Sequence, residues 1–276
     1  LDENWVNVLL LGSDARRTDE SSRTDTMIIC SLNQQTGEVK LTSIMRDIAV
    51  EFNDIGEFSG TYRINSANYF GGPELAMKTV NECFDMNIQH YVLVDFTSFS
   101  IIAERLGGIE LTITEAEMEE INKNAVQQAR LAYNAGIDET ELEATNVFLE
   151  QYGENTKLNG RQVLAYARIR KIDSDFSRAE RQRVVLIAMM EKLKTKNAAE
   201  VLSIATAMQG YVRTNFSIND IMKYAITVLD SDLSKIEQLR LPENGSYKQE
   251  TRREQSMLYD TDWTHNTLLL HSFIYD

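Results

Sequence analysis

The chain has only two prolines and two cysteines in 276 residues. With so little proline and no Gly/Ser-rich stretch, no segment reads as a linker. Two cysteines cannot build a disulfide framework. Cys30 and Cys83 both lie in apolar segments and are expected to be buried thiols. Long apolar runs are also missing. The longest, VVLIAMM at 184–190, falls far short of the roughly 20 residues of a membrane span, and no signal peptide is visible. Positive charge is scarce: Lys and Arg number 28 against 42 Asp and Glu, a formal net charge of -14. That balance disfavours nucleic acid or an anionic membrane face as a broad electrostatic partner. No internal repeat or low-complexity tract is present.

What remains is ordinary globular usage, 43% hydrophobic and 25% charged, enough to build a full core in one domain spanning 1–276. WVNVLLLG, TMIICSLN and VKLTSIM read as three successive strands, the last two joined by the turn QQTG. HYVLVDF, IELTI, KIEQLRLP (235–242) and TLLLHSFI (267–274) read as later strands. Helices are predicted over GGPELAMKTVNECF, with Pro73 near its first position, and over TSFSIIAERLGG, with Thr97 as N-cap. Further helices are LNGRQVLAYAR, a segment starting near Arg178 behind the capping-box pair Ser177 and Glu180, NAAEVLSIATAMQGYV and SINDIMKYAITVL. Residues 114–156 are acidic, with Met118, Ile121, Ala125 and Ala129 at helical spacing, and read as a helical excursion. Strands interleaved with helices predict an α/β fold: a mixed central sheet flanked by helices in an α-β-α sandwich.

Charged residues gather at the ends of the first three strands. Asp14 follows the first, Arg23 and Asp25 precede the second, and Arg46 and Asp47 follow the third. The short turn makes the second and third antiparallel, so Asp25 falls opposite Arg46. If the first strand is a neighbour, Asp14 reaches the same edge.

A second concentration runs against the overall charge. Residues 161–183 hold six arginines and Lys171 against Asp173, Asp175 and Glu180. Arg178 and Arg181, three apart, share a helix face near a helix start, where backbone N–H groups and the dipole favour an anion. Arg168 and Arg170 lead into the same loop. Arginine is a planar fork that matches phosphate or carboxylate with paired hydrogen bonds. The cluster therefore meets an anion or forms an internal salt-bridge network. Asp173 and Asp175 restrain the arginines, bind a metal or serve as a base. No acid partner for Arg178 and Arg181 is evident on their own helix face.

The segments LLLGSDAR, RTDTMIICSLN, LTSIMRDIAV, RINSANYFGGPELAM and LNGRQVLAYARIRKIDSDFSRAERQRVVL occur in the order expected of the LytR-CpsA-Psr family. The resemblance runs from about Asn7 to Leu193, and more weakly to the end. It implies an extracytoplasmic domain of Gram-positive-type bacteria, held to the cell membrane by an N-terminal segment outside this chain. Such proteins transfer a glycopolymer phosphate, typically of teichoic acid or capsular polysaccharide, from undecaprenyl pyrophosphate to a cell-wall acceptor, usually peptidoglycan. By motif position, the resemblance makes Asp14 and Asp25 magnesium ligands. It turns Arg16, Arg23, Arg46, Arg168, Arg170, Arg178, Arg181 and Gln182 toward the pyrophosphate. Met45 stands where the family often has proline. Asp175 is the candidate base for the acceptor hydroxyl. Hydrolysis with water as acceptor, a lipid- or glycan-binding protein without catalysis, and a transcriptional regulator are the competing readings. No helix-turn-helix with a basic face supports the regulator.

Overall fold

The computed structural model of the chain describes residues 2–13, 22–53, 55–134, 148–169, 175–252 and 254–276, without the side chains of 125–134, 175 and 176. The fold class is α/β with a mixed central sheet, as the sequence predicts. Strands β1 (Trp5–Ser13), β2 (Thr24–Asn33) and β3 (Val39–Ile44) form an antiparallel meander. β6 (His90–Val94) pairs parallel with β1, and β10 (Glu237–Leu241) parallel with β3. With β9 (Val212–Thr214) the order is β10-β3-β2-β1-β6-β9.

The chain divides into two compact units, residues 1–94 with 213–220 and 230–276, and residues 95–212 with 221–229. The first unit has its core on one face of the sheet. Leu9, Leu11, Ile29, Tyr91 and Leu93 pack there with α1 (Ser66–Phe84) and α8 (Trp263–Tyr275) through Ala76, Val80, Phe84, Leu270 and Ile274. On the strands' other face Val6, Val8, Leu10, Val92 and Val94 stay partly exposed. The second unit is built from α2 (Phe96–Arg105), β7 (Ile109–Ile113), α3 (Glu115–Asn134), β8 (Gly153–Leu158), α4 (Gly160–Ala167), α5 (Asp175–Lys194) and α6 (Ala198–Ala207). Its own core joins Ile109, Leu111, Ile113, Ile121, Leu158, Val163, Tyr166 and Val185. In α7 (Ile218–Asp230) no residue is buried, although Ile221, Met222, Ile226, Val228 and Leu229 lie along it.

Several elements depart from the sequence reading. TLLLHSFI belongs to helix α8, not a strand: Asp262 caps that helix by accepting from the His265 N–H, and buried Asn266, Leu270 and Ile274 recur every four residues. The cap of α2 is Asp95, which accepts from the Ser98 N–H at 2.7 Å, two residues before Thr97. Helix α1 starts at Ser66 and is kinked at Gly71 and Gly72, so Pro73 begins its second segment. α5 starts at Asp175, which puts Ser177 inside the first turn rather than at the cap. The excursion is helical in α3 but also contains strand β8, which pairs antiparallel with β7; residues 135–147 lie outside the described ones. Two hairpins were missed, β4 (Ala49–Phe52) with β5 (Gly60–Arg63) and β11 (Lys248–Arg252) with β12 (Gln255–Tyr259). Both cysteines are free; each residue is partly exposed, but the thiols are buried as expected, which pushes each up to about 12.

Candidate active site

In the first unit the β1–β2 ladder pairs Gly12 with Thr26 and Ser13 with Thr24. Asp25 is thus an extra residue, a bulge at the end of the sheet that re-aims its side chain. Arg46, just after β3, donates from Nη1 to Oδ1 of Asp25. The expected juxtaposition across the β2–β3 turn is therefore formed. Arg46 Nε also lies 3.6 Å from Oδ2 of Asp47, and Asp47 Oδ1 lies 3.1 Å from Nε of Arg63 at the end of β5. Arg63 Nη2 in turn donates to the Ser256 carbonyl at 2.9 Å, and the Leu258 N–H donates to the Asp47 carbonyl. Asp25, Arg46, Asp47 and Arg63 alternate in sign and together are neutral. All four are partly shielded from solvent, which strengthens their mutual attraction. Arg23 is exposed just before β2.

In the second unit α4 opens with a capping box, Asn159 and Gln162 each bonding the other's backbone N–H. A Cβ on its first residue, Gly160, would stand 2.1 Å from the Ser100 carbonyl, so glycine is what lets α4 approach α2. α4 ends at Arg168, where a cation complements the orphan carbonyls of a helix C-terminus. The Arg168 guanidinium lies over the Phe96 ring, 3.9 Å from its centroid. Arg178 and Arg181 occupy the first two turns of α5 and are only 5% and 6% exposed. Arg181 Nε donates to Oε1 of Glu117 at 3.1 Å, and its guanidinium lies 5.9 Å from the Tyr166 ring. Gln182 follows, half-buried.

The sequence-predicted residues thus fall into two sets. Arg23, Asp25 and Arg46 lie in the first unit, where Asp25 and Arg46 pair; Arg168, Arg178, Arg181 and Gln182 lie in the second. Asp14, Arg16, Arg170 and Asp173, and the side chain of Asp175, lie outside the described residues. The internal salt-bridge reading of the arginine cluster holds in part, since Arg181 has an acid partner. The acid partner missing from the arginines' own helix face is supplied from α3, which brings Glu117 from 64 residues away. Sequence reading missed Glu117, the Asp47–Arg63 pair and the ring beneath Arg168. Asp47 carried a signal as a charge at a strand end, and Arg63 as the basic residue of the RINSAN segment.

Among the described residues no group of three or more His, Cys, Asp or Glu could hold a metal ion. The fit to magnesium rests instead on Asp25 and on neutral oxygens of residues that adjoin it in the chain or bond to its neighbours. Oγ1 of Thr24 and Oδ1 of Asn65 and of Asn68 are buried without a hydrogen-bond partner. Hard oxygen donors of this kind suit that ion. Among the described residues no helix is long and apolar enough to cross a membrane.

The model of the LytR_cpsA_psr family matches residues 1–266. Regulatory protein MsrR of Staphylococcus aureus (strain COL) is 27% identical over 247 residues, covering 88% of this chain and 66% of that protein. The polyisoprenyl-teichoic acid–peptidoglycan teichoic acid transferase TagT of Bacillus subtilis (strain 168) is 30% identical over 220 residues, covering 78% of this chain and 61% of that protein. The chain therefore spans somewhat under two thirds of the length of these relatives. Among solved structures, TagT bound to LIIa-WTA aligns with a TM-score of 0.72 at 25% identity, covering 99% of this chain and 93% of that one. With a family model running through nearly its whole length, the chain belongs to the LytR_cpsA_psr family.

Proposed function

We propose that the chain is the catalytic domain of an extracytoplasmic phosphotransferase. It moves a glycopolymer phosphate from an undecaprenyl pyrophosphate carrier to a cell-wall acceptor such as peptidoglycan. The observation that carries this reading is the buried pair Arg178 and Arg181 at the start of α5. Burying cations there favours an anionic ligand that arginine can grip with paired hydrogen bonds. The family membership and the similarity to TagT, a polyisoprenyl-teichoic acid–peptidoglycan teichoic acid transferase, support the choice of a polyprenyl-linked donor.

In the transfer, an acceptor hydroxyl oxygen bonds to the glycopolymer-bearing phosphorus. The bond from that phosphorus to the bridging oxygen breaks, and polyprenyl phosphate leaves with the electron pair. Little covalent chemistry falls to the protein; its task is alignment and neutralisation of spreading charge. Arg23, Arg46, Arg168, Arg170, Arg178 and Arg181 take that task, with Arg16 and Gln182 as further contacts. Asp175 accepts the proton of the acceptor hydroxyl. Asp14 and Asp25 would hold a magnesium ion, which would supply Lewis-acid neutralisation of pyrophosphate charge. Within the first unit, the partly exposed apolar side chains of Val6, Val8, Leu10 and Val92 supply surface for a polyprenyl tail. An N-terminal anchor outside this chain holds the domain at the membrane.

The test is mass spectrometry of lipid extracted from the purified protein, followed by product analysis with a lipid-linked glycopolymer and peptidoglycan fragments. A polyprenyl phosphate or pyrophosphate in the extract and a glycopolymer joined to the acceptor through a phosphodiester support the proposal. Free glycopolymer phosphate alone, released at the same rate without acceptor, makes the protein a hydrolase. No polyprenyl lipid and no product refute both.

A further inference from the structure

We infer that Asn65 and Asn68 are outer-sphere acceptors for the water shell of a divalent cation held at Asp25. This rests on the reading of Asp25 as a metal ligand. Asn65 and Asn68 are 3% and 5% exposed, and the Oδ1 of each is buried with no hydrogen-bond partner. The orientation of the Asn68 amide follows from its other end, where Nδ2 donates to the Ser22 carbonyl at 2.8 Å. Its Oδ1 is therefore an acceptor without a donor. Asn65 sits against the metal-facing strand: its N–H donates to the Arg46 carbonyl at 3.4 Å, and its own carbonyl accepts from the Thr24 N–H at 3.5 Å. Arg46 is the ion-pair partner of Asp25. Thr24, adjoining Asp25 on the bulge, adds a third buried, unpartnered oxygen, its hydroxyl.

Buried polar atoms are nearly always paired, so three unpartnered ones on residues whose hydrogen bonds join Ser22, Thr24 and Arg46 around Asp25 point to a ligand. The ligand must donate. Phosphate oxygens only accept and cannot satisfy an amide oxygen. Water bound to a cation turns its lone pairs to the metal and its protons outward, so its shell consists of donors alone. Magnesium dehydrates reluctantly and usually keeps several waters, and outer-sphere partners of this kind govern metal affinity.

The experiment measures Mn2+ binding by the electron spin resonance of the free ion, with and without geranyl pyrophosphate. Wild type is compared with Asp25→Ala, Asn68→Leu and Asn68→Asp, each first checked for an unchanged fold by circular dichroism. Both Asn68 variants lose the bond to Ser22, but only Asn68→Asp keeps an acceptor. Expected are loss of binding in Asp25→Ala, about tenfold or greater weakening in Asn68→Leu, and wild-type or tighter binding in Asn68→Asp. Wild-type affinity in Asn68→Leu, with Asp25→Ala defective, overturns the inference and leaves the metal reading standing. Equal loss in both Asn68 variants makes the residue structural and also overturns it. Absent binding in wild type, or unchanged binding in Asp25→Ala, removes the metal reading and the inference with it. Should Asn68→Leu fail to fold, Asn65→Leu against Asn65→Asp makes the same comparison.

Discussion

Arg181 donates from Nε to Oε1 of Glu117 at 3.1 Å, and both side chains are largely buried, 7% and 13% exposed. The arginine proposed to meet the pyrophosphate is thus held by a carboxylate from the first turn of α3. Removing one partner of a buried pair strands the other charge, at a cost of about 3–5 kcal/mol. Arg181→Ala is therefore expected to abolish transfer and also to lower the melting temperature clearly. Glu117→Ala is expected to be similarly unstable alone but to gain more melting temperature from geranyl pyrophosphate than wild type does, because the added anion replaces the lost acid. Thermal melts of both variants, with and without the ligand, measure this. An equal ligand shift in wild type and Glu117→Ala would mean that Arg181 does not meet the pyrophosphate.

Asp47 lies between Arg46 and Arg63, 3.6 Å from one guanidinium and 3.1 Å from the other. Its expected role is to hold Arg46 in orientation while Arg63 fixes Asp47. A double-mutant cycle of Asp47→Asn and Arg63→Ala on stability should give a coupling of about 0.5–3 kcal/mol. Each single variant should lower kcat more than it raises KM, since a loosened Arg46 is most costly in the transition state. Additive stability effects with unchanged kcat would assign the pair to the surface.

Asp25 is the aspartate of the proposed metal pair whose surroundings are described. Magnesium and pyrophosphate complete each other's oxygen shell, so their binding should be positively coupled, and the coupling is reciprocal. Asp25→Ala should weaken binding of a polyprenyl pyrophosphate analogue in magnesium and change little in chelator, where wild type is already weak. Titrations in both buffers decide it. An equal loss in both would mean that Asp25 organises Arg46 rather than the ion.

Burial pushes the thiols of Cys30 and Cys83 from an ordinary 9.0 up to about 12. A pKa raised on folding means that the protonated form is favoured in the native state. Its contribution is complete below pH 9 and is lost as pH rises toward 12. Between those values each thiol should remove up to about 1.4 kcal/mol of stability per pH unit. Urea melts at pH 8, 9.5 and 10.5 should therefore fall more steeply for wild type than for the double variant Cys30→Ala, Cys83→Ala. At pH 8 neither thiol should react quickly with a disulfide reagent until urea unfolds the chain.

The three apolar segments of β1, β2 and β3 and the short turn between the last two determine by themselves a meander that brings Asp25 to Arg46, because a ladder's register fixes which residues face each other. The i,i+3 spacing of Arg178 and Arg181 likewise determines a shared helix face. The motif order was enough to suggest the family. Tertiary structure decided the rest, since contacts between distant segments leave no periodic trace in sequence. Glu117 reaches Arg181 across 64 positions, and Arg63 reaches Ser256 across 193. The final apolar run reads as a strand by composition but is helix α8, because its buried positions recur every four residues against α1. Burial made the same distinction among polar residues. Asn65 and Asn68 look like helix-start asparagines in sequence; the fold encloses their amide oxygens and leaves them without donors, a property of packing that no residue identity carries.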